Sequence, residues 1–168
     1  SIRLVGSEMC IRDSTKISDQ IRKILLDSEN QEMVSDCEQL LYWASRSQHI
    51  QELIVPNLKK GNVVLCDRYV DSTWAYQGHA RGIDFDFIAK LEAMITHDLK
   101  VDKTFLLDLP ADQGLARAHG RIAKMESGDK EDRFEKEELA FHQKVREGFL
   151  ALAKKEPDRF CIIDATRT

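Results

Sequence analysis

Apolar residues recur at helical spacing in several stretches of the chain. Near the amino terminus, Ile17, Ile21, Ile24 and Leu25 fall at positions i, i+4, i+7 and i+8, which predicts an amphipathic helix. Further helices are predicted at residues 85–97, at residues 111–125, and on the face marked by Phe141, Val145, Phe149 and Leu152.

A longer helix is predicted after the first one. Ser35 and Glu38 stand three residues apart and match a capping box, which predicts that this helix begins at Ser35. The sequence CEQLLYWASRSQHIQELI continues the helical pattern. Pro56 is expected to bend the helix, and Gly61 is expected to end it.

Three short apolar runs rich in β-branched residues predict strands, and they are NVVLCD (62–67), KTFLLDL (103–109) and RFCIIDA (159–165). Their continuous apolar character favours parallel strands that are buried on both faces. Because predicted helices and strands alternate, the sequence predicts one α/β domain whose parallel sheet is flanked by helices. The polar stretch MESGDKEDR (125–133) predicts a loop.

Charge and composition argue against several kinds of partner. The formal net charge is −4, and the 29 acidic and 25 basic residues are mixed along the chain, so no basic stripe predicts nucleic-acid binding. No apolar run approaches the roughly 20 residues of a membrane span, and no signal-peptide pattern opens the chain. The four cysteines form no CxxC pair, which is typical of reduced thiols in a cytoplasmic protein.

Each predicted strand ends in an aspartate, namely Asp67, Asp108 or Asp164. In open α/β sheets, ligands bind beyond the carboxyl ends of the strands. For Asp108 and Asp164, capping of a helix or loop is the simpler interpretation. Asp67 differs because Arg68 follows it. An arginine can bind a phosphate bidentately, while the carboxylate acts on the side of the phosphoryl group where a metal ion would lie. From this pair alone, a structural salt bridge is the competing interpretation.

The segment DRYVDSTWAYQG (67–78) carries the groups that a nucleobase and a sugar require. Ser72 and Thr73 offer short hydroxyls, Tyr76 offers a ring with a polar tip, and Gln77 offers a donor together with an acceptor. These groups favour a nucleotide site over a structural salt bridge.

Tyr42 and Arg46 on the preceding helix strengthen this interpretation. They lie at i and i+4 and therefore share a face, which places an aromatic plate beside a planar fork of donors. The alternative for Tyr42, Trp43 and Arg46 is core packing with an arginine whose charged end reaches solvent.

These segments together resemble the bacterial thymidylate kinases. DRYVDSTWAYQG followed by HARGID resembles the family signature, and LLYWASRSQH, LLDLPADQGLARA, EDRFE and FHQKVREGFLALA match the family in the same order. The resemblance runs from about Thr15 to Ala165. It implies the P-loop fold of a nucleoside monophosphate kinase, a partial domain at residues 15–168, and transfer of the γ-phosphoryl group of ATP to dTMP with Mg²⁺. It also implies a homodimer for the intact family member.

The resemblance assigns roles to the residues singled out above. It implies that Tyr42 stacks on thymine, that Arg46 bonds a thymine carbonyl and that Arg68 holds the dTMP phosphate. Asp67 is expected to act on the magnesium and phosphate side, without direct metal ligation.

Other residues of the segment follow by the same resemblance. Ser72, Thr73 and Gln77 fall where the family contacts the base and the neighbouring phosphate region. Tyr76 lies where a ring crowds the 2′ position of the sugar and disfavours ribose.

Three further arginines are implicated on the ATP side. Arg121 and Arg133 flank the loop that resembles the family's lid, near residues 117–135, whose arginines cover the transferring phosphoryl group. Arg117 is expected beside the adenine. Without the resemblance, the charges of this loop would be interpreted as a solvated surface.

The chain also departs from the family pattern. A P-loop kinase needs G-x-x-x-x-G-K-[ST], and none of the eight glycines here is followed by lysine. Residues 1–14, SIRLVGSEMCIRDS, match no part of the family and resemble a spurious peptide translated from sequencing-adapter DNA, although IRLV could pair as a substitute strand. We expect the family's first strand, P-loop, first helix and last helix to be missing from this sequence.

The missing first strand is the one that the family places between NVVLCD and KTFLLDL. Its absence is expected to expose two strand edges and to leave the 168-residue chain inactive by itself. Two alternatives stay open, a non-catalytic deoxynucleotide-binding module and a kinase of another nucleotide or deoxynucleotide.

Overall fold

A computed structural model describes residues 8–11, 15–27, 29–97, 99–122 and 138–167. The described strands are β1 (Glu8–Ile11), β2 (Val63–Cys66), β3 (Thr104–Asp108) and β4 (Phe160–Asp164). The described α-helices are α1 (Lys16–Leu26), α2 (Ser35–His49), α3 (Val55–Lys59), α4 (Val70–Thr73), α5 (Phe85–Thr96), α6 (Ala111–Ile122) and α7 (Leu139–Lys155). Two segments are π-helical. Ile50–Ile54 connects α2 to α3, and Trp74–Ala80 continues α4.

The described strands form two separate parallel pairs. β1 pairs with β2, with Glu8 opposite Val63, and β3 pairs with β4, with Thr104 opposite Phe160. Among the described residues, no strand lies between β2 and β3. The predicted α/β class with parallel strands is confirmed. The predicted strand IRLV lies outside the described residues, and the segment that pairs is EMCI.

The prediction that the strands are buried on both faces is wrong for the described structure. Phe105 and Leu107 of β3 are 63% and 66% exposed, and Val63 of β2 and Ile162 of β4 are also exposed. Apolar runs predict strands through their β-branched composition, but burial depends on what covers each face. Among the described side chains, β2, β3 and β4 all expose apolar residues.

The first predicted helix is confirmed as α1. Thr15 caps it, because its hydroxyl oxygen accepts a hydrogen bond of 3.1 Å from the backbone N–H of Ser18. The Ser18 hydroxyl then donates to the carbonyl oxygen of Ser45 over 3.0 Å. This bond fixes α1 against α2, the helix that carries Tyr42 and Arg46.

The capping box predicted at Ser35 and Glu38 is wrong. The residue that precedes α2 is Val34, and no side chain caps the helix. Glu38 is 1% exposed and accepts hydrogen bonds from the π-helical segment Trp74–Ala80 and from Arg81. The spacing of a capping box was present, but a long-range partner holds the glutamate.

The helical run changes type just before Pro56, and the predicted bend stays a prediction. The α-helical pattern of α2 widens to i→i+5 bonding over Ile50–Ile54 and returns to α at α3, where Pro56 stands in the first turn. Because the residues before it are helical, the missing N–H of Pro56 interrupts one backbone hydrogen bond of this helical run. The helix ends at Lys59, and after Lys60 the predicted glycine, Gly61, follows with φ +77°.

The hydrophobic core lies between α2, its π-helical extension, α4 and α5. Its buried members are Trp43, Ile50, Ile54, Val70, Ile88 and Ile95. Val70 begins α4, the short helix that follows the DRY sequence. The core therefore holds the segment with most of the predicted site residues. Within the described ranges, no helix combines the length and apolar character that crossing a bilayer requires.

The π-helical segment Trp74–Ala80 packs closely against α7 at Gly148. A Cβ atom added at Gly148 would lie 2.9 Å from Cβ of His79 and 3.0 Å from Cα of Ala75. These distances are too short for a real side chain, and one of the neighbours is backbone that cannot rotate away. The absence of a side chain at Gly148 permits this close contact.

Gly148→Ala should therefore lower the free energy of unfolding by about 1–3 kcal/mol, because the backbones must separate. Gly120→Ala on α6 is the matched control, since no described atom lies within 4 Å of its added Cβ. It should stabilise the protein by up to about 1 kcal/mol through helix propensity. Urea denaturation of both variants tests this, and equal stabilisation by both would contradict the close packing at Gly148.

Candidate nucleotide-binding site

Arg46 is held at the end of α2 by contacts from three sides. Its Nη1 donates to Oγ1 of Thr73 over 2.9 Å, and its Nη2 donates to the carbonyl oxygen of Tyr69 over 3.1 Å. Its guanidinium also lies 4.7 Å from the ring centre of Trp43 and 5.8 Å from that of Tyr69. Burial lowers the pKa of Arg46, and burial raises the pKa of Tyr69 to about 12. The guanidinium is therefore fixed in one orientation.

Arg68 follows β2 and is exposed. Its φ of +64° places it in the left-handed region, which is uncommon for a residue with a side chain and is concentrated at functional sites. Its guanidinium carbon lies 4.4 Å from the ring centre of Tyr76, and its Nε lies 3.5 Å from Oγ of Ser72. Among the described residues it joins no ion pair, so the competing salt-bridge interpretation finds no support there.

Two consecutive residues of α4 bring these arginines together. Thr73 accepts the hydrogen bond from Arg46, and Ser72 lies next to Arg68. The two arginines are 22 positions apart in the sequence (68 − 46) and come from different elements. This arrangement gives α4 a fixed guanidinium on one side and an exposed guanidinium on the other.

The aromatic residues predicted for the site lie beside these arginines. Tyr42 is partly exposed on α2, one turn before Arg46. Tyr76 is partly buried, with Phe141 and Phe149 of α7 in edge-to-face contact at ring-centre distances of 6.0 and 6.3 Å. The structure thus places Tyr76 between α7 and Arg68.

Gln77 lies in the interior of the protein. It is 2% exposed, and its Nε2 donates to Oε1 of Glu38 over 2.9 Å. Glu38 also accepts from Nε and Nη2 of Arg81, at 3.1 and 3.3 Å. The described contact of Gln77 is therefore with Glu38, and its expected contact with a ligand stays a prediction. Neither Glu38 nor Arg81 had been expected here, although Arg81 lies within the HARGID sequence.

A second buried ion pair fixes α4 against the β3–β4 sheet. Asp71 is 6% exposed, and both of its carboxylate oxygens accept from Arg159, each over 2.8 Å. Thr104 of β3 donates to the same carboxylate over 3.1 Å. Arg159 also donates to Glu156, and this hydrogen bond lowers the pKa of Glu156. The sequence pattern gave no indication of this network.

The three strand-end aspartates differ in their surroundings. Asp108 accepts from Arg146 at 2.7 and 2.8 Å, and this bidentate bond lowers the pKa of Asp108. Asp164 accepts from the N–H and the hydroxyl of Thr166, which lowers the pKa of Asp164. These contacts support the structural interpretation for both residues. Asp67 is exposed beside Arg68.

A cavity of about 290 Å³ lies at the carboxyl end of β3. Its lining includes Arg68 and Tyr76, the end of β3 at Asp108, and parts of α6 and α7. This is the edge of a parallel sheet at which α/β proteins hold ligands. The cavity therefore joins the exposed guanidinium of Arg68 to the sheet edge.

The arginines expected on the ATP side are only partly covered by the structure. Arg117 of α6 donates to the carbonyl oxygens of Ala165 and Thr166, at 3.0 and 3.4 Å, and so ties α6 to the end of β4. Arg121 belongs to α6, and its side chain lies outside the described parts. Arg133 and most of the predicted lid also lie outside the described residues.

Known proteins resemble this chain in sequence and in fold. Residues 12–168 match the family model described as thymidylate kinase. The chain is 50% identical over 150 residues to the thymidylate kinase of Geobacter sp. (strain M21), covering 89% of this chain and 66% of that protein. It is 52% identical over 148 residues to the thymidylate kinase of Geobacter sulfurreducens, covering 88% of this chain and 69% of that protein.

A solved structure of thymidylate kinase from Ehrlichia chaffeensis has the same fold. It superposes with a TM-score of 0.70 at 28% sequence identity, covering 96% of this chain and 70% of that one. The chain spans about two thirds of the length of the curated relatives named above. Sequence and fold agree, and the chain belongs to the thymidylate kinase family.

Proposed function

We propose that the protein binds dTMP and, in the complete enzyme, transfers to it the γ-phosphoryl group of ATP to give dTDP. The observation that carries this proposal is that two consecutive residues of α4 contact two arginines, Thr73 contacting Arg46 and Ser72 contacting Arg68. A nucleoside monophosphate needs planar donors for its base and a cation for its phosphate, and the fixed Arg46 and the exposed Arg68 provide these two functions.

The base end of the site is formed by α2 and α4. Arg46 has five N–H donors, and two of its nitrogens already contact protein, so donors remain for a thymine carbonyl. Tyr42, one turn earlier, offers a ring for stacking. Thr73 is bonded to Arg46 and is proposed to lie beside the base, whereas Ser72 lies towards the phosphate.

Mg²⁺ is proposed as the cofactor, as in the kinase family. Among the described residues, no group of three or more His, Cys, Asp or Glu side chains forms a metal cage. Magnesium commonly keeps several of its waters and contacts the substrate phosphates, and the exposed carboxylate of Asp67 is proposed to act on this side of the phosphate without ligating the ion directly. When bound, the ion would neutralise charge on the transferring phosphoryl group.

The remaining roles belong to the ATP side and to assembly. Arg121 and Arg133 are proposed to stabilise the transferring phosphoryl group, and Arg117 is proposed to lie near the adenine. We further propose that the complete enzyme is a cytoplasmic homodimer, as the family resemblance implies.

Calorimetric titration of the chain with dTMP and with thymidine tests the phosphate site. Arg68→Ala should weaken dTMP binding by about 10- to 100-fold, because a hydrogen-bonded charge contributes about 1.5–3 kcal/mol. It should leave thymidine binding unchanged, since thymidine has no phosphate. Arg167→Ala is the control, because Arg167 is 89% exposed and its removal changes the net charge equally.

Several outcomes of this titration would contradict the proposal. Equal weakening of dTMP and thymidine by Arg68→Ala would show a structural role for Arg68. Tighter binding of another nucleoside monophosphate, in a panel that includes dCMP, dGMP and UMP, would favour a kinase of a different nucleotide.

A second candidate function is a deoxynucleotide-binding module that carries out no transfer. One sequence observation favours it, namely that no glycine of the chain precedes a lysine, so the phosphate-binding motif G-x-x-x-x-G-K-[ST] does not occur. Formation of dTDP from dTMP, ATP and Mg²⁺ distinguishes a catalyst from a binding module.

A further inference from the structure

We propose that Tyr76 is a positioning residue for Arg68, with its ring as the platform that orients the guanidinium towards the phosphate of dTMP. The inference rests on the proposed function, in which Arg68 binds that phosphate. It gives Tyr76 a role separate from the exclusion of ribose that the family resemblance implies.

The contacts of Arg68 single out the ring of Tyr76. The guanidinium carbon lies 4.4 Å from the ring centre, well within the distance at which a cation is attracted to an aromatic face. The hydrogen bond from Nε to Oγ of Ser72 is long, at 3.5 Å. Because the side chain is exposed and joins no ion pair among the described residues, the ring supplies its main orienting contact.

Stacking on an aromatic face leaves the arginine able to bind a ligand. An arginine that stacks on a ring contacts it through the flat face of its guanidinium, and its N–H donors then point outwards in the guanidinium plane. A phosphate is bound by two parallel donors on that edge. Tyr76 can therefore fix the plane of Arg68 without competing for the donors that the phosphate needs.

The ring itself is anchored to α7. Phe141 and Phe149 contact it at interplanar angles of 67° and 79°, an edge-to-face geometry favoured by aromatic pairs. The backbone of the same segment lies against Gly148 at Ala75. Helix α7 is in turn fixed to β3, because Arg146 forms a bidentate pair with Asp108. The platform is therefore connected to the sheet.

Arg46 provides an internal comparison. Its guanidinium is held by Thr73, by Tyr69 and by the ring of Trp43, and none of these contacts involves Tyr76. A change in the electronic character of the Tyr76 ring should therefore affect phosphate binding and spare base binding. The ratio of the Kd for thymidine to the Kd for dTMP isolates this effect, because the two ligands differ only in the phosphate.

The experiment replaces the ring while preserving its shape. Tyr76→Phe serves as the reference, and Tyr76→pentafluorophenylalanine keeps the ring size but reverses the charge of its face. The second variant should lower the ratio of Kd values by about fivefold relative to the first, the factor that corresponds to about 1 kcal/mol of cation–ring attraction. Thymidine binding should be equal in the two variants. Tyr76→Leu provides a natural substitution with the same expected fall in the ratio.

The same titrations separate this inference from the proposed function. If Arg68→Ala lowers the ratio but the fluorinated ring does not, Arg68 binds the phosphate and the positioning role of Tyr76 is overturned. If Arg68→Ala leaves the ratio at its wild-type value, the phosphate site is elsewhere, and both proposals fail. A fall in thymidine affinity equal to the fall in dTMP affinity would show that Tyr76 contacts the nucleoside only, which also overturns the inference.

Discussion

Arg159→Met should lower the free energy of unfolding by about 3–5 kcal/mol, the cost of removing one partner of a buried ion pair. The substitution would leave the carboxylate of Asp71, which is 6% exposed, without its two hydrogen bonds of 2.8 Å. Thr104 would be the one described donor left to it. Because the pair ties α4 to the β3–β4 sheet, we expect the whole urea unfolding transition to move to lower urea concentration.

The control for this experiment is Arg167→Met, which removes an exposed arginine from the same end of the chain. It should leave the unfolding curve unchanged. The double variant Arg159→Met with Asp71→Leu should recover part of the stability, since no unpaired charge remains buried. An Arg159→Met protein as stable as the wild type would show that the network contributes nothing to folding.

Glu38→Ala should destabilise the protein by about 3 kcal/mol and should also weaken dTMP binding. Glu38 is 1% exposed and accepts hydrogen bonds from Gln77 and Arg81, so its removal leaves a partly buried cation and an amide without their acceptor. The same bonds join α2, with Tyr42 and Arg46, to the segment that carries Tyr76. Loss of this joint should misalign the base end of the proposed site with its phosphate end.

Chemical denaturation measures the loss of stability. A dTMP titration, under conditions in which the variant is folded, measures the loss of binding. Glu52→Ala is a matched control, since Glu52 is exposed and accepts one described hydrogen bond from Gln48 on the same helical run. Similar losses in the Glu38 and Glu52 variants would contradict a specific joint at Glu38.

The sequence predicted well those features that depend on neighbouring residues. Strands β2, β3 and β4 and helices α1 and α5 follow from local apolar patterns, and their positions are confirmed. Glu38 shows where such reasoning fails, because its spacing from Ser35 matched a capping box while its true partner, Arg81, lies 43 residues away. The pairing of Asp71 with Arg159 spans 88 residues and leaves no local pattern.

The candidate site was predicted in part for the same reason. Tyr42 and Arg46 share a helix face, and Arg68 and Ser72 stand in one short segment. Local spacing and the family resemblance therefore identified them as candidate site residues. The position of Arg68 over the Tyr76 ring and the burial of Gln77 depend on how α7 and α2 pack against that segment. Those contacts are set by tertiary packing, which neither spacing nor composition contains.

The π-helical segment Trp74–Ala80 has a consequence for how this family tolerates insertions and deletions. A π-turn holds one residue more than the α-helical turn it replaces, and such turns occur frequently at functional sites. Deleting one residue would let the segment relax to an α-helix, and the directions of the side chains within it would change relative to one another, because successive residues are about 100° apart in an α-helix and less in the wider π-turn. Tyr76 and Gln77, which now point to Arg68 and to Glu38, could not both keep these partners. A length change of one residue in this stretch should therefore be rarer among descendants of this gene than a substitution at any single position within it.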